Sequence, residues 1–335
     1  FFIFWFVVLV VVKKDYKNSV KILLENKIFM YIGLFFLFII LSMFWADDNQ
    51  NAIRHLRLYS YWIIIPCVII IAKKEWIYKI LNSFLLGMFI SEILSYGIFF
   101  ELVTIDGSNP NQPSPFMTTI HYSVFLAFTS LVLLYRFLFE NAKFKIKITL
   151  FLFFILTTTN LMISTGRTGQ LAFFITLFVV FVMKYRISIK SIAFSTIFFI
   201  IISFVAYNNL DLFKKRVDAA VFDIEKVLYQ NDFNTSWGLR AGWWILTYDA
   251  LKEKPIFGHG LGDYRLTAND MVNKNHYPYF TKPVKDFLTS HHYHNQYLMV
   301  AVEGGLVGLF LFLLLIYKIY SLKIEDLEMK HISII

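Results

Sequence analysis

Charged residues are scarce in this sequence. Asp, Glu, Lys and Arg make up 16% of the 335 residues, while 58% are hydrophobic and the mean hydropathy is +0.60. A soluble domain has about 25% charged residues. No water-soluble core could bury so much apolar surface, so a soluble fold is excluded. Cysteine is also scarce, because Cys67 is the only one, which excludes an intrachain disulfide.

Long apolar runs recur along the chain instead. A hydrocarbon core about 30 Å thick needs roughly 17 to 25 apolar residues per helix. We therefore predict an all-α polytopic integral membrane protein with a multi-helix bundle. The predicted spans are 1–12 (partial), 28–45, 56–72, 79–100, 117–139, 148–164, 168–183, 190–207 and 294–318.

Lys and Arg alternate in number from loop to loop, which gives the spans an orientation. Five loops carry three or more of them and three loops carry two or fewer. By the positive-inside rule, the basic loops face the cytoplasm. The basic clusters lie at span ends rather than on one face, so membrane lipids are predicted partners and nucleic acid is not. The basic loops are 13–27, 73–79, 140–147, 184–190 and 318–330.

One connection is far longer than the others. Residues 208–293 contain 11 basic and 10 acidic residues, and a loop of this length in a compact protein is usually functional. It is predicted to lie on the outer side of the membrane and to carry short amphipathic helices, among them one over 235–252 with Trp237 and Trp244 on an apolar stripe. The predicted division is a transmembrane bundle at 1–207, this loop, and a C-terminal transmembrane segment at 294–335.

Both ends of the sequence fall within apolar segments. The run Phe1–Val12 is too short to span a bilayer, and the last four residues resemble the start of another helix. We therefore expect the first helix to be incomplete, the C-terminal segment to be truncated and the chain to be part of a longer protein.

The segment HHYHNQYL at 291–298 leads directly into the last predicted span. His294 is predicted to lie outside the membrane at the N-terminus of that helix. There the helix dipole and partial desolvation both disfavour the imidazolium ion. A neutral imidazole can accept a proton, as a general base must. The alternative is that His294 only caps the helix.

Four segments together resemble a known family. His294-Asn295, nine further residues, Gly305, two residues and Gly308 are similar to the His-Asn-x9-Gly-x2-Gly signature of bacterial O-antigen ligases, the WaaL-type members of the O-antigen ligase and polymerase superfamily. The resemblance extends from about residue 28 to the end. The other three matching segments are STGRTG at 164–169, Arg240 with Trp244, and PIFGHGLG at 255–262.

This resemblance implies a GT-C-like glycosyltransferase of the bacterial inner membrane that needs no metal and no cofactor. It implies transfer of a glycan from undecaprenyl diphosphate to the lipid A core oligosaccharide, with inversion, at the periplasmic face. Two arginines and the motif histidine are functional in the family, and they match Arg167, Arg240 and His294 here. The implied roles are diphosphate binding by both arginines and general base catalysis by the histidine.

Arg167 is also singled out by its position. It is the only charged residue in a turn of about four residues between two predicted spans, and charges at such depth are usually functional. A guanidinium binds phosphate oxygens through two parallel hydrogen bonds. Gly166 and Gly169 are expected to let an anion approach the backbone. The alternatives are a lipid-headgroup anchor for Arg167 and a solvated helix face for Arg240.

Two more arginines and one carboxylate are weaker candidates. Arg54 and Arg57 lie at the outer end of a predicted span, where they could contact lipid phosphate, contact the acceptor's phosphorylated core, or position the helix at the interface. Glu303 falls about 13 Å along the His294 helix at 1.5 Å per residue. It could be functional or a protonated structural group.

Three other patterns have an ordinary structural reading beside a functional one. Asp47-Asp48 could bind a metal or form a solvated turn, and Gly258–Gly262 could be a dinucleotide loop or turn chemistry. His291, His292 and His294 with Asp286 do not have the spacing of a known zinc site. We predict that Asp47-Asp48 forms a solvated turn and that the glycines of Gly258–Gly262 form backbone turns. We predict no metal site at the histidines.

Other functions stay open beside ligation. A polymerase of the same superfamily would join two lipid-linked glycans, and a protein O-glycosyltransferase would use a Ser or Thr acceptor. A transporter of the lipid-linked glycan would also need many spans and arginines for the diphosphate. Transport usually involves inverted repeats with charges near the midplane, and the sequence has no such repeat.

Overall fold

The computed structural model describes residues 21–335 except 22, 64, 66, 67, 69, 71, 72, 165, 275 and 276. The predicted partial span 1–12, part of the span 56–72 and Cys67 therefore lie outside the described residues. The helices are α1 Lys27–Ser42, α2 Asn49–Tyr59, α3 Ile77–Phe99, α4 Thr119–Phe139, α5 Phe144–Ile163, α6 Arg167–Tyr185, α7 Ile189–Asn209, α8 Asp211–Gln230, α9 Ser236–Glu253, α10 Tyr264–Lys274, α11 Lys282–Ser290, α12 Gln296–Tyr320 and α13 Leu327–Ile332.

The predicted all-α membrane fold is confirmed. Within the described residues there is no strand, and seven helices are long and apolar enough to cross a membrane. Each corresponds to a predicted span, with ends that differ by a few residues. The seven are Lys27–Trp45, Lys74–Phe99, Thr119–Phe139, Phe144–Ile163, Arg167–Tyr185, Ile192–Asn209 and Gln296–Tyr320.

The chain divides into two compact units. The first unit comprises 1–73 and 220–322, and the second unit comprises 74–219 and 323–335. These units are defined by contacts within the fold. The three-part division by topology, at 1–207, 208–293 and 294–335, stays a prediction.

In the first unit, α12 packs against α1 and α9. One core cluster forms around Trp243 and Tyr264, and a second forms around Phe35 and Phe312. Between membrane helices such as α1 and α12, close van der Waals packing of these aromatic side chains supplies much of the stabilising energy. The helices α9, α10 and α11 all come from the predicted long loop.

The helix predicted over 235–252 is confirmed as α9. It begins after Thr235, whose side-chain oxygen accepts a hydrogen bond from the Gly238 N–H at 3.0 Å. This contact satisfies one of the backbone donors left free at a helix start. Trp243 is buried in the core, whereas Trp237 and Trp244 are exposed.

In the second unit, α4 packs against both α5 and α6. Its core includes Tyr122, Leu126, Phe154 and Phe173, all nearly inaccessible. The helix α7 instead leaves many large apolar side chains exposed. Exposed apolar surface on a long helix is typical of contact with lipid tails. The exposed side chains of α7 include Phe194, Ile197, Phe199, Ile200, Ile201 and Phe204.

Candidate active site

His294 lies immediately before the start of α12. The helix begins at Gln296, two residues later than predicted, because Asn295 is its N-cap. The Asn295 side-chain oxygen accepts hydrogen bonds from the N–H groups of Tyr297 at 2.9 Å and Leu298 at 3.3 Å. The asparagine therefore caps the helix, and this leaves the neighbouring histidine free of that task.

The backbone of His294 has an unusual conformation. Its φ is +49°, in the left-handed region that non-glycine residues rarely adopt. The His294 N–H donates to Nδ1 of His292 at 3.1 Å, and the two rings lie 3.8 Å apart between centroids. The His294 ring is also 5.4 Å from the ring of Trp243. These contacts hold the imidazole against α9.

The environment of His294 favours its neutral form. Partial burial lowers the pKa of the His294 imidazole below its ordinary value, and the charges of His292, Arg240 and His291 lower it further. Desolvation and nearby positive charge both disfavour an imidazolium ion. The side chain nevertheless stays accessible. A neutral, accessible imidazole is able to accept a proton.

Arg240 lies on α9 in the same unit as His294. It is exposed, and it forms no ion pair with a carboxylate in the part of the chain that the structure describes. Its charge is close enough to lower the pKa of His294. The structure therefore brings together two of the three predicted catalytic residues, in an arrangement that leaves the guanidinium free for an anion.

Arg167 is the first residue of α6 in the second unit and is partly buried. The adjoining glycines have a different role from the predicted one. A Cβ atom at Gly166 or at Gly169 would overlap Ser123 of α4. The Gly169 N–H donates to the Ser123 hydroxyl at 3.3 Å. These glycines allow two helices to pack closely, which is not the approach to an anion that we expected. The role of Arg167 stays a prediction.

The helix α12 is broken at Gly305, where φ is +61° and ψ is −159°. The loop that precedes α10 supplies the hydrogen bonds that the break removes, so backbone polar groups at this depth stay satisfied. Four backbone bonds join the two segments: His259 N to Val302 O at 2.9 Å, Gly260 N to Glu303 O at 2.9 Å, Leu306 N to Pro255 O at 2.8 Å, and Val307 N to Ile256 O at 3.1 Å.

The glycines of that loop form turns, as predicted. Gly258, Gly260 and Gly262 all have positive φ, at +69°, +116° and +85°. Glycine is the residue that adopts this region at little cost. A Cβ at Gly258 or at Gly305 would also overlap backbone of the other segment. Glycines of two separate family motifs therefore meet in one contact.

Glu303 is buried beside this break and has a structural role. Its carboxylate lies 3.2 Å from Nδ1 of His55 and accepts a hydrogen bond from the Gly262 N–H at 3.1 Å. The His55 ring in turn stacks on Tyr264 at 5.3 Å. A buried carboxylate with two partners fixes its neighbours in place. Glu303 thereby links α12, the glycine loop and α2.

Several of the residues weighed as metal ligands make contacts within the fold. The N–H groups of Asp47 and Asp48 donate to the Asp263 carboxylate at 2.8 and 2.9 Å, and Asp48 caps α2. His291 stacks on Phe287 at 4.0 Å. Among the described residues, no group of three or more His, Cys, Asp or Glu side chains is arranged to hold a metal ion. The absence of a metal from the reaction stays a prediction.

Arg54 and Arg57 both lie on α2, and Arg54 lines a cavity that Arg57 does not line. This cavity of about 460 Å³ is also lined by Arg265 and His292. Arg265 was not among the residues predicted from the sequence. The available signal was its position directly after the Gly-rich motif, three residues beyond Gly262.

Comparison with known proteins bears on this site. The family model described as O-antigen ligase matches residues 152–313. Over this stretch the chain is similar to the O-antigen ligase family. This match confirms the resemblance drawn from the sequence motifs, and it includes Arg167, Arg240 and His294.

Two curated relatives extend the comparison. An uncharacterized protein of Haemophilus influenzae is 27% identical over 338 aligned residues, which cover 95% of this chain and 79% of that protein. A Rickettsia conorii protein named "Putative polysaccharide ligase" is 35% identical over 95 residues, which cover 28% of this chain and 21% of that protein. The O-antigen ligase family supports a function of the polysaccharide ligase or polymerase type.

Proposed function

We propose that the protein is an inverting glycosyltransferase that moves a glycan from undecaprenyl diphosphate to the lipid A core oligosaccharide. The observation that carries the proposal is that a neutral, accessible His294 lies near Arg240, which has no carboxylate partner among the described residues. A base and a cation are the two groups that this transfer needs at its reacting centre. The match to the O-antigen ligase family supports the same class of reaction.

The proposed step forms one bond and breaks one bond. The acceptor hydroxyl oxygen attacks the anomeric carbon of the donor sugar, and its proton passes to the His294 imidazole. The bond from the anomeric carbon to the diphosphate oxygen breaks, and its electron pair leaves with the diphosphate. Attack from the side opposite the leaving group inverts the anomeric configuration.

Arg240 and Arg167 stabilise the departing diphosphate in this proposal. A guanidinium donates two parallel hydrogen bonds to phosphate oxygens, and these strengthen as negative charge develops on them. Arg240 is supported by its position beside His294 and by its lack of a carboxylate partner among the described residues. Arg167 is supported by the motif that it shares with the family.

We place the reaction at the periplasmic face of the bacterial inner membrane. The distribution of Lys and Arg among the predicted loops supports this orientation. The donor is lipid-linked and the acceptor is a membrane glycolipid, so a site at the membrane surface gives both substrates access. The exposed aromatic residues Trp237 and Trp244 of α9 suit such an interface.

Polymerisation is the second candidate. The superfamily that the sequence motifs resemble contains both ligases and polymerases. It would use the same base and the same arginines, and only the acceptor would differ. A protein O-glycosyltransferase would differ in the same way. A transporter is less well supported, since it would have no need for a neutral imidazole beside the arginine.

The deciding experiment is transfer by the purified protein. The reaction contains a defined undecaprenyl-diphosphate glycan and purified lipid A core, with and without EDTA. We expect glycosylated lipid A core in equal amount in both reactions. Lengthening of the donor without any core product would instead establish a polymerase. Loss of product with EDTA would contradict a metal-independent mechanism.

A further inference from the structure

The cavity beside α2 has a strongly basic end. Arg54 of α2 and Arg265 of α10 both line it, together with His292 and Gln296. No carboxylate is among its lining residues, and neither arginine forms an ion pair with a carboxylate in the described part of the chain. Two fixed positive charges without a counterion attract an anion.

The Arg265 side chain is restrained by its neighbours, but one of its hydrogen-bond donors has no acceptor within the described ranges of the chain. Its Nε atom is buried and has no hydrogen-bond partner among the described residues. Its guanidinium lies 5.5 Å from the centre of the Tyr264 ring, which restricts the side chain. A buried donor without a partner costs about 1 to 3 kcal/mol. Because Arg265 also lines the cavity, its guanidinium can donate charge-assisted hydrogen bonds to a phosphate bound there.

Part of the cavity wall is apolar. It is formed by Leu58 and Trp62 on the α2 side, and by Met299 and Phe312 of the membrane helix α12. A free phosphate would leave this wall without a partner. A phosphate attached to a hydrocarbon chain would occupy both ends. The volume of about 460 Å³ is within the usual range for small-molecule sites.

We propose that this cavity binds the phosphate group of a lipid-linked substrate. Arg265 and Arg54 would bind the phosphate, and the apolar wall that includes Trp62 would contact the hydrocarbon chain. The identification of the ligand as a substrate rests on the proposed function. The cavity adjoins the reacting centre, because His292 lines it and its ring lies 3.8 Å from that of His294. Two substrates could carry the group, namely the prenyl diphosphate donor and a phosphorylated acyl glycolipid acceptor.

Binding to the purified full-length chain in detergent tests this proposal. The probes are farnesyl diphosphate, dihexanoyl phosphatidic acid and inorganic diphosphate. We expect one of the two lipids to bind at least tenfold more tightly than inorganic diphosphate. Arg265→Gln and Arg54→Gln should each weaken that binding about tenfold, since each removes a charge-assisted contact.

Arg57→Gln is the matched control. Arg57 lies on the same helix and is exposed, but it does not line the cavity. We expect its affinity to stay within about twofold of the wild type. Preference for farnesyl diphosphate assigns the cavity to the donor, and preference for phosphatidic acid assigns it to the acceptor. Trp62→Ala should weaken lipid binding and leave inorganic diphosphate unaffected.

Two results would overturn the proposal. One is unchanged lipid affinity in folded Arg265→Gln and Arg54→Gln variants, and the other is equal affinity for inorganic diphosphate and both lipids. Binding is measured without any transfer reaction, and His294→Ala should retain it. A protein that binds lipid through these arginines but transfers no glycan would therefore contradict the proposed function alone.

Discussion

Polar groups are treated differently in the two units of the molecule. In the second unit, buried polar side chains bond to one another between helices. Glu92 accepts a hydrogen bond from Thr157 at 2.8 Å, and Ser130 bonds to Thr158 at 2.6 Å. In the first unit, Arg240 carries a charge that no described carboxylate neutralises.

The difference distinguishes polar side chains that stabilise the fold from polar side chains that are available to a ligand. A polar group inside a membrane protein needs a partner, because the hydrocarbon offers none. Side chains that find their partner within the fold, such as Thr157, hold helices together. Guanidinium groups that lack one, such as Arg240, are available to a ligand. Arg240 combines an unpaired charge with a position beside His294, and this combination marks the candidate active site.

Loss of the proposed base should have the largest effect. We expect His294→Ala to reduce glycan transfer by about 10² to 10⁴-fold, the usual contribution of a general base. His291→Ala is the control, because that ring is exposed and stacks on Phe287. Both variants should keep the wild-type melting temperature. Substantial transfer by the His294 variant would refute the assignment of the base.

Removal of the unpaired arginine should have the next largest effect. Arg240→Gln is expected to lower kcat about 10²-fold, because a charge on the leaving group loses its stabilisation. Lys252→Gln on the same helix is the control, since Lys252 is exposed and pairs with Asp249 at 3.1 Å. Initial rates at saturating donor measure both. Equal rates for the two variants would show that Arg240 has no role in the reaction.

A substitution at the break of α12 should affect stability. Gly305→Ala places a Cβ against the carbonyl of Ile256 at a positive φ. We expect it to destabilise the protein by about 1 to 3 kcal/mol. Gly33→Ala is the control, because among the described residues no atom outside the local backbone of α1 lies within 4 Å of a Cβ at that position. Thermal unfolding in detergent compares them, and identical melting temperatures would contradict the described contact.

The smallest effect is expected in the second unit. Thr157→Val removes the hydrogen bond to Glu92 and should cost about 1 kcal/mol of stability without changing transfer. Thr159→Val should cost less, because Thr159 lies two residues further along at an exposed position and its hydroxyl donates to the Ile155 carbonyl of its own helix at 2.9 Å. Melting temperature and transfer rate are read from the same samples. A large loss of transfer in Thr157→Val would give this unit's polar groups a catalytic role.

The membrane fold could be read from the sequence because its signal is local. A run of about 20 apolar residues predicts a span without knowledge of its neighbours. Seven spans were found in this way. The start of α9 after Thr235 was equally accessible, since a Ser or Thr before an apolar run is a typical helix start.

Contacts between distant segments could not be read in this way. The glycines at 258 and 305 were recognised as parts of motifs, but nothing in either motif indicates that the two backbones meet. The cavity residue Arg265 was missed because its partner Arg54 lies more than 200 positions away. Gly166 and Gly169 were assigned to an anion because their neighbour Ser123 was unknown.

The measurement that tests the central claim most directly is the pH dependence of transfer by the wild type and by Arg240→Gln. Transfer requires neutral His294, so the rate should rise with pH through the lowered pKa of His294 and then level off. Loss of the Arg240 charge raises that pKa, so the rise should move to higher pH in the variant. An unchanged profile would contradict the pairing of His294 with Arg240 as base and cation of one site.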